Sequence, residues 1–269
     1  MTTSGISGAA NSAVNYLDKS NKSLYKTLLE LASGSNESDP SADAAGVAVS
    51  GTLTARLDQL QAASNGAADS VSLAQTADGF LSTIQSQLDR LGTLATNASD
   101  GALGSAAQSD YSAEFNDLLG QVSSVAANAN FDGISLFSDQ TISGAVNADG
   151  TSGGVVLSTL GSAASLGLSG ASIATPAQAT QAIALINSAI GQITNRRAEI
   201  NADISTLNFQ ASNNQSEEVN TAAANSRISD VNVATASTQR AQASIQSDAA
   251  ISVLAQANAD RRSVLALIS

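Results

Sequence analysis

Apolar residues recur in alternating steps of four and three over most of this chain, a spacing that calls for long helices laid side by side. The first such seam runs Ala10, Val14, Leu17, Asn21, Leu24, Leu28, Leu31. It stops at Ser33-Gly34, and residues 35–40 read as a loop with a helix restarting just after Pro40. A second seam follows through Leu53, Leu57, Leu60, Ser64, Ala67, Val71 and Ala74, takes a one-residue adjustment, and continues through Ala77, Leu81, Ile84, Leu88, Leu91 and Ala95. At ~1.5 Å per residue this makes a rod of roughly 70–80 Å, longer than a globular domain accommodates. After a break at residues 97–104, a third helix carries Phe115, Leu118, Leu119, Val122, Val125 and Ala126. The cleanest seam comes later, through Ile183, Ile186, Ile190, Ile193, Arg197, Ile200, Ile204, Leu207 and Ala211. Arg197, its one non-apolar member, either forms a buried ion pair that fixes register or snorkels to the helix edge.

Beyond residue 213 the pattern weakens, then resumes faintly at Ile245, Ala249 and Ser252 and again at Val264, Leu265, Leu267 and Ile268. Each chain end is thus a marginal amphipathic helix with too little apolar area to fold alone, and each needs a partner. In the middle, Asp132-Gly133, Ser143-Gly144, Asp149-Gly150 and Gly153-Gly154 separate short β-prone runs at 134–137 and 155–157, which predicts one or two small hairpins. Thr175-Pro176-Ala177-Gln178 has the form of a helix start, with Thr as cap, Pro at the first position and Gln completing a capping box. Asp43 is placed to cap the second helix, with Ala44, Ala45 and Gly46 allowing close helix approach. The expected class is mainly α: a long helical coiled-coil rod with a small β-hairpin region and its two termini paired.

Composition supports thin helices. The 51 Ala and 42 Ser among 269 residues leave little bulky apolar volume, and Ala is the strongest helix former. The chain has no His, Cys or Trp, which removes Ser-His-Asp and Cys-His catalysis, Cys/His zinc sites and disulfides. No catalytic residue, cofactor or metal is expected. Gly150-Thr151-Ser152-Gly153-Gly154 has the outline of a nucleophile elbow but no base, and reads as a hairpin turn. Asp139 and Asp149 lack the spacing of a calcium loop. A formal charge of −12, with every Lys at 19, 22 or 26, argues against nucleic acid and against an anionic membrane surface. No apolar run approaches the ~20 residues of a membrane span. Residues 1–15 lack the basic-then-apolar pattern of a cleavable signal peptide, so the expectation is either an intracellular protein or one exported without such a signal.

The order and spacing of several short segments resemble bacterial flagellin, the flagellar filament subunit, in a short form without the variable outer domains. They are residues 17–34 (LDKSNKSLYKTLLELASG), Asp43-Ala44-Ala45-Gly46 with Ala48, Leu73-Ala74-Gln75-Thr76-Ala77 with Gly79, and Phe131-Asp132-Gly133. Near the other end stand Ser226-Arg227-Ile228-Ser229-Asp230-Val231, Leu254-Ala255-Gln256-Ala257-Asn258 and Ser263-Val264-Leu265-Ala266-Leu267. The resemblance implies an inner-tube helix at 1–40 pairing with another at 232–269, outer-tube helices and hairpins at 41–175, and an outer-tube helix with connector at 176–231. It implies a subunit secreted unfolded and polymerised through its terminal helices for motility, outside the cell on the flagellum. Val14, Leu17, Leu24, Leu28, Leu31, Ile245, Ala249, Leu254, Leu265 and Leu267 would carry self-assembly, the alternative for these terminal seams being a helix pair packed within one subunit.

Partners implied besides other copies are a flagellar export chaperone, the filament cap and the hook-junction proteins. A vertebrate innate immune receptor would grip the face formed by Arg90, Leu94 and Glu114, whose alternative reading is a solvated helix face with Leu94 half-buried. A hook-filament junction protein or a flagellin-like surface binding protein is the alternative function. The chain departs from the family pattern where Asn36, Glu37, Ser38 and Asp39 replace the usual basic residues, so any charge pairing there is lost or moved.

Overall fold

The computed structural model describes residues 2–268 apart from 42, 138–139, 146, 148–151 and 158–160, with backbone alone at 2–7, 9, 140–145, 152–157, 264–265 and 267–268. In chain order come α1 (Thr2–Ser33), a 3-10 turn (Asn36–Ser38), α2 (Ala44–Ala98), α3 (Ser105–Asn128), β1 (Asn130–Phe131), β2 (Ile134–Ser135), β3 (Gln140–Ala145), β4 (Ser152–Leu157), α4 (Pro176–Ser229) and α5 (Val233–Ile268). The fold is mainly α, as its sequence periodicity requires. The chain packs as two compact units, one of residues 1–57 with 219–269 and one of residues 58–218.

In the second unit, α2 and α4 lie antiparallel. Ile186 faces Gly92, where an added Cβ would stand 3.7 Å from its Cγ2, and Arg197 bonds to Asp78 and Gln85. The closed face of α2 runs Leu60, Ala63, Ala67, Ser70, Ala74, Ala77, Leu81, Ile84, Leu88, Leu91, Ala95, Ala98. That is one unbroken heptad pattern, and no adjustment interrupts it. On α4 the buried row is Ala179, Ala182, Ile186, Ala189, Ile193, Arg196, Ile200, Leu207 and Asn214.

Part of each expected seam, a small part on α2 and about half on α4, is displaced by one residue. Ala63 and Ser70 replace Ser64 and Val71, and Ala182, Ala189 and Arg196 replace Ile183, Ile190 and Arg197. The cause is size: where two helices approach closely, the row at the contact takes small side chains. Val71, Ile183, Ile190, Ile204 and Ala211 instead cover the seam from its flanks, partly buried against the core. α3 adds Phe115, Val122 and Ala126 as expected, and Phe115 is fully buried.

Both hairpins form. Asp132 and Gly133 have φ of 49° and 79°, the paired positive values of a type I′ turn, between β1 and β2. β3 and β4 pair from Gln140 with Leu157 to Ala145 with Ser152, so Ser152, Gly153 and Gly154 of the elbow-like sequence are strand residues. Gly150 and Thr151, and Asp139 and Asp149, lie outside the described residues. Leu136, Leu166, Leu168 and Ile173 close the core, and the Gln108 amide donates to the Ile173 carbonyl. Gly161 is required there, since a Cβ would meet the Phe137 ring at 2.8 Å.

Both expected helix caps form, with the Gln178 side chain meeting the Thr175 hydroxyl rather than its backbone N–H. Gln178 N–H donates to Thr175 Oγ1 at 3.3 Å, and the Thr175 hydroxyl donates to Gln178 Oε1 at 3.2 Å. Asp43 Oδ1 accepts from Gly46 N–H at 2.8 Å. Gly46 serves this cap rather than helix approach, because a Cβ there would stand 2.3 Å from Asp43 Oδ2.

If the seam row is the one with small residues, bulk is costly there and tolerated beside it. Ala189→Leu is expected to destabilise the protein by about 1–3 kcal/mol through overpacking, while Ile190→Leu stays within about 1.5 kcal/mol. Urea unfolding of both variants checks the order.

Candidate assembly interface

In the unit of residues 1–57 with 219–269, α1 and α5 pack along each other. Ala13, Ser20 and Thr27 of α1 are buried at seven-residue intervals, as are Ala236, Ala243, Ala250 and Ala257 of α5. Both sides of this seam are small, so the backbones come close enough for the Ser20 hydroxyl to donate to the Ala243 carbonyl. The polar pair Ser247 and Asn21 lies one turn away, 3.4 Å apart. The helices are joined at one end by Val231 N–H donating to the Gly34 carbonyl at 3.0 Å and by a bridge between Ser35 and Asp230. Gly34, at φ 72°, ends α1 by donating to the Glu30 carbonyl at 2.9 Å, and Asn232 Oδ1 starts α5 by accepting from Thr235 N–H at 3.1 Å.

The loop that lacks basic residues is closed by hydroxyls. Ser35 Oγ accepts from Glu37 N–H at 3.1 Å, Ser38 donates to the Ser35 carbonyl at 2.7 Å, and Asp39 Oδ1 accepts from both Ser41 N–H and its hydroxyl. The Ser41 hydroxyl is the main reason the Asp39 carboxyl sits below its ordinary range.

This small seam corrects the periodicity read for the ends. Leu17, Leu24, Leu31 and Leu254 flank it half-buried, whereas Val14 (43% exposed), Leu28 (39%), Ile245 (68%) and Ala249 point outward. Leu265 and Leu267 lie on α5, with side chains outside those described. The outward residues have company that periodicity missed: Tyr16, Tyr25, Leu29, Ile251 and Val253 are also exposed large hydrophobics. Ser12, Ala13, Tyr16, Gln246, Ala249, Ala250 and Val253 line an open, largely apolar groove of about 550 Å³ along the pair. An exposed apolar surface rich in aromatic and branched side chains marks an association surface.

In the other unit, Arg90 pairs with Glu114 at 2.7 Å with both side chains about half exposed, but Leu94 is only 1% exposed and belongs to the core. Of these three residues, two face solvent. Arg197 sits at the seam's edge, its Nε 2.8 Å from Asp78 Oδ1, its Nη2 3.2 Å from Asp78 Oδ2 and its Nη1 2.8 Å from Gln85 Oε1. The residue inside the seam is Arg196, which reaches out to Glu199 at 2.7 Å and leaves its buried Nη2 without a partner. Asp203, one heptad on, has its carboxyl raised by burial, partly offset by the Arg196 charge and reinforced by Glu199. Among the described residues no cluster of three or more carboxylates could hold a metal ion, and no helix is long and apolar enough to cross a membrane.

Comparison with known proteins gives a consistent picture. Residues 7–141 match the family model of the bacterial flagellin N-terminal helical region, and residues 183–268 that of the C-terminal helical region. The chain is similar to the flagellin of Listeria monocytogenes, 32% identical over 94% of this chain and 95% of that one. It is 26% identical to the flagellar filament 30.7 kDa core protein of Treponema maltophilum, over 93% of each. Among solved structures it resembles Bacillus cereus flagellin in fold, with a TM-score of 0.51 at 23% identity, over 56% of this chain and 88% of that one.

Two substitutions probe these seams. Ala243→Leu is expected to force α1 and α5 apart, so that limited proteolysis removes both chain ends faster while residues 58–218 persist. For Asp203, burial raises the folded-state pKa above the unfolded value, so its contribution to stability is present at low pH and is lost as pH rises through the folded pKa. Asp203→Asn should therefore melt above the parent at pH 7 and close to it near pH 3, as followed by circular dichroism.

Proposed function

Because the chain belongs to the bacterial flagellin family and is a structural subunit of the flagellar filament rather than an enzyme, we propose that it polymerises through the outward apolar faces of α1 and α5. The observation that carries this reading is the set of large side chains left exposed on that helix pair: Val14, Tyr16, Tyr25 and Leu28 on α1, Ile245, Ile251 and Val253 on α5. The seam between the two helices is already filled by small residues, so these side chains are available to neighbouring subunits. Residues 1–40 with 232–269 then form the inner layer of the filament, and 41–175 with 176–231 the outer layer. The contacts are heterologous, one face of a subunit meeting a different face of the next, and generate an open helical polymer.

Export in an unfolded state fits the chemistry of the chain, since with no cysteine there is no disulfide to break before threading. An export chaperone would take the apolar face of α5, and the filament cap and hook-junction proteins would meet the same terminal helices. A vertebrate innate receptor reading this outer surface would find Arg90 and Glu114 exposed and Leu94 buried in the core. The full-length relatives favour the filament over the hook-filament junction and over a surface binding protein.

Deleting residues 245–269 tests the mechanism. The truncated chain should lose filament formation in electron micrographs under polymerising salt while residues 58–218 keep their helical circular-dichroism signal; filaments from it would overturn the proposal.

A further inference from the structure

The formal charge of −12 is not spread over the chain. Residues 1–57 and 219–269 hold eight basic and eight acidic side chains, whereas residues 58–218 hold three Arg against fifteen acidic side chains. Each of those Arg is already engaged within its unit: Arg90 with Glu114, Arg196 with Glu199, Arg197 with Asp78. Two copies of this unit consequently repel one another over most of their surface, and a contact between them is least opposed where no carboxylate stands.

Residues 176–195, the first five turns of α4, contain no charged residue. Their outward face exposes Ala184, Leu185, Ser188 and Gly191, with Leu185 39% exposed. Gly191 stands mid-helix with nothing within 4 Å of where a Cβ would be. In that position glycine weakens a helix relative to alanine, and nothing inside the fold calls for it. A charge-free band on an acidic unit and a glycine that the subunit's own packing does not use coincide on one helix face.

From this coincidence we propose that the outward face of α4 between Ala184 and Gly191 is where a second copy of the chain docks by close helix approach. The neighbour contributes the last part of α3, residues 118–128, which likewise carries no charge and exposes Gly120 with open space beside it. The two helices then meet with neither a carboxylate nor a β-carbon between their glycines. The inference rests on the chain's being a filament subunit and names the surface that residues 58–218 present to the next copy.

Seeded polymerisation of the full chain, followed by sedimentation and electron microscopy beside thermal melts, tests it. Ser188→Glu should raise the critical concentration about tenfold or more with an unchanged melt. Gly191→Ala should melt higher yet polymerise less well, the opposite signs separating a docking role from a folding one. Gln75→Glu, an exposed change on α2 that adds the same charge near Asp78, should polymerise like the parent. The proposal is overturned if Ser188→Glu and Gly191→Ala polymerise like the parent, or if Gln75→Glu is impaired as much as Ser188→Glu. A parent chain that forms no filaments overturns the filament reading itself, and this inference with it.

Discussion

How closely two helices can approach governs the rest of this structure. An Ala-rich chain has few large apolar side chains with which to fill a thick core, so it gains dispersion by bringing backbones together rather than by interposing bulk. Between α2 and α4 the sizes are complementary. With Gly92 against Ile186 and Asp78 against Arg197, the bulky Leu88 of α2 falls beside the small Ala189 of α4. Farther along, α2 turns small, with Ala63, Ala67, Ser70, Ala74 and Ala77, where α4 places Arg196, Asp203 and Gln210. Between α1 and α5 both sides are small, which leaves little apolar area in the contact.

That last property links packing to function. A seam of Ala, Ser and Thr cannot use Leu, Ile, Val or Tyr, so the large residues of α1 and α5 are displaced to the outside of the pair. An isolated pair of this kind is poorly stabilised, because each buried methyl contributes on the order of 1 kcal/mol while ordering a residue costs 1–2 kcal/mol. The missing area lies on the outward face, and association supplies it. The same unit is electroneutral, with eight charges of each sign, so burying it among copies meets no net repulsion.

The class of fold, the helix ends and the hairpins were legible in the sequence because each rests on local chemistry: the Thr175 and Asp43 caps, the Asp132-Gly133 turn, the Gly34 stop. Most of the α2 seam was also legible, from Leu60 and Ala67 through Leu81, Ile84, Leu88, Leu91 and Ala95, as was about half of the α4 seam, at Ile186, Ile193, Ile200 and Leu207. The rest, including the whole contact row of α1 and α5, was not, for one reason: apolar periodicity weights large residues, and those rows are made of small ones. Ile183 and Ile190 therefore outranked Ala182 and Ala189, and Arg197 masked Arg196. A strict seven-residue recurrence of Ala at 236, 243, 250 and 257 was the signal that would have located the α5 seam, and it is visible only when alanine is counted as a contact residue. Leu94 failed differently. Its burial depends on α3 and α4 arriving against α2, and its neighbours in sequence carry no trace of that.

A seam built from a seven-residue repeat of small residues has a weakness of its own: sliding one helix by a heptad restores nearly the same contacts. Polar groups break that degeneracy. A one-heptad slip of α4 along α2 would carry Arg197 away from Asp78 and Gln85 and leave a half-buried carboxylate and guanidinium unmatched, which costs more than the pair contributes when formed. In the terminal pair, the Ser20 hydroxyl on the Ala243 carbonyl and the Val231 N–H on the Gly34 carbonyl discriminate in the same way. The unpartnered Nη2 of Arg196 is the visible cost of this arrangement, a buried donor left unsatisfied in the middle of an otherwise closed seam. Alanine supplies proximity without address, so the few polar residues within the seams must supply the address.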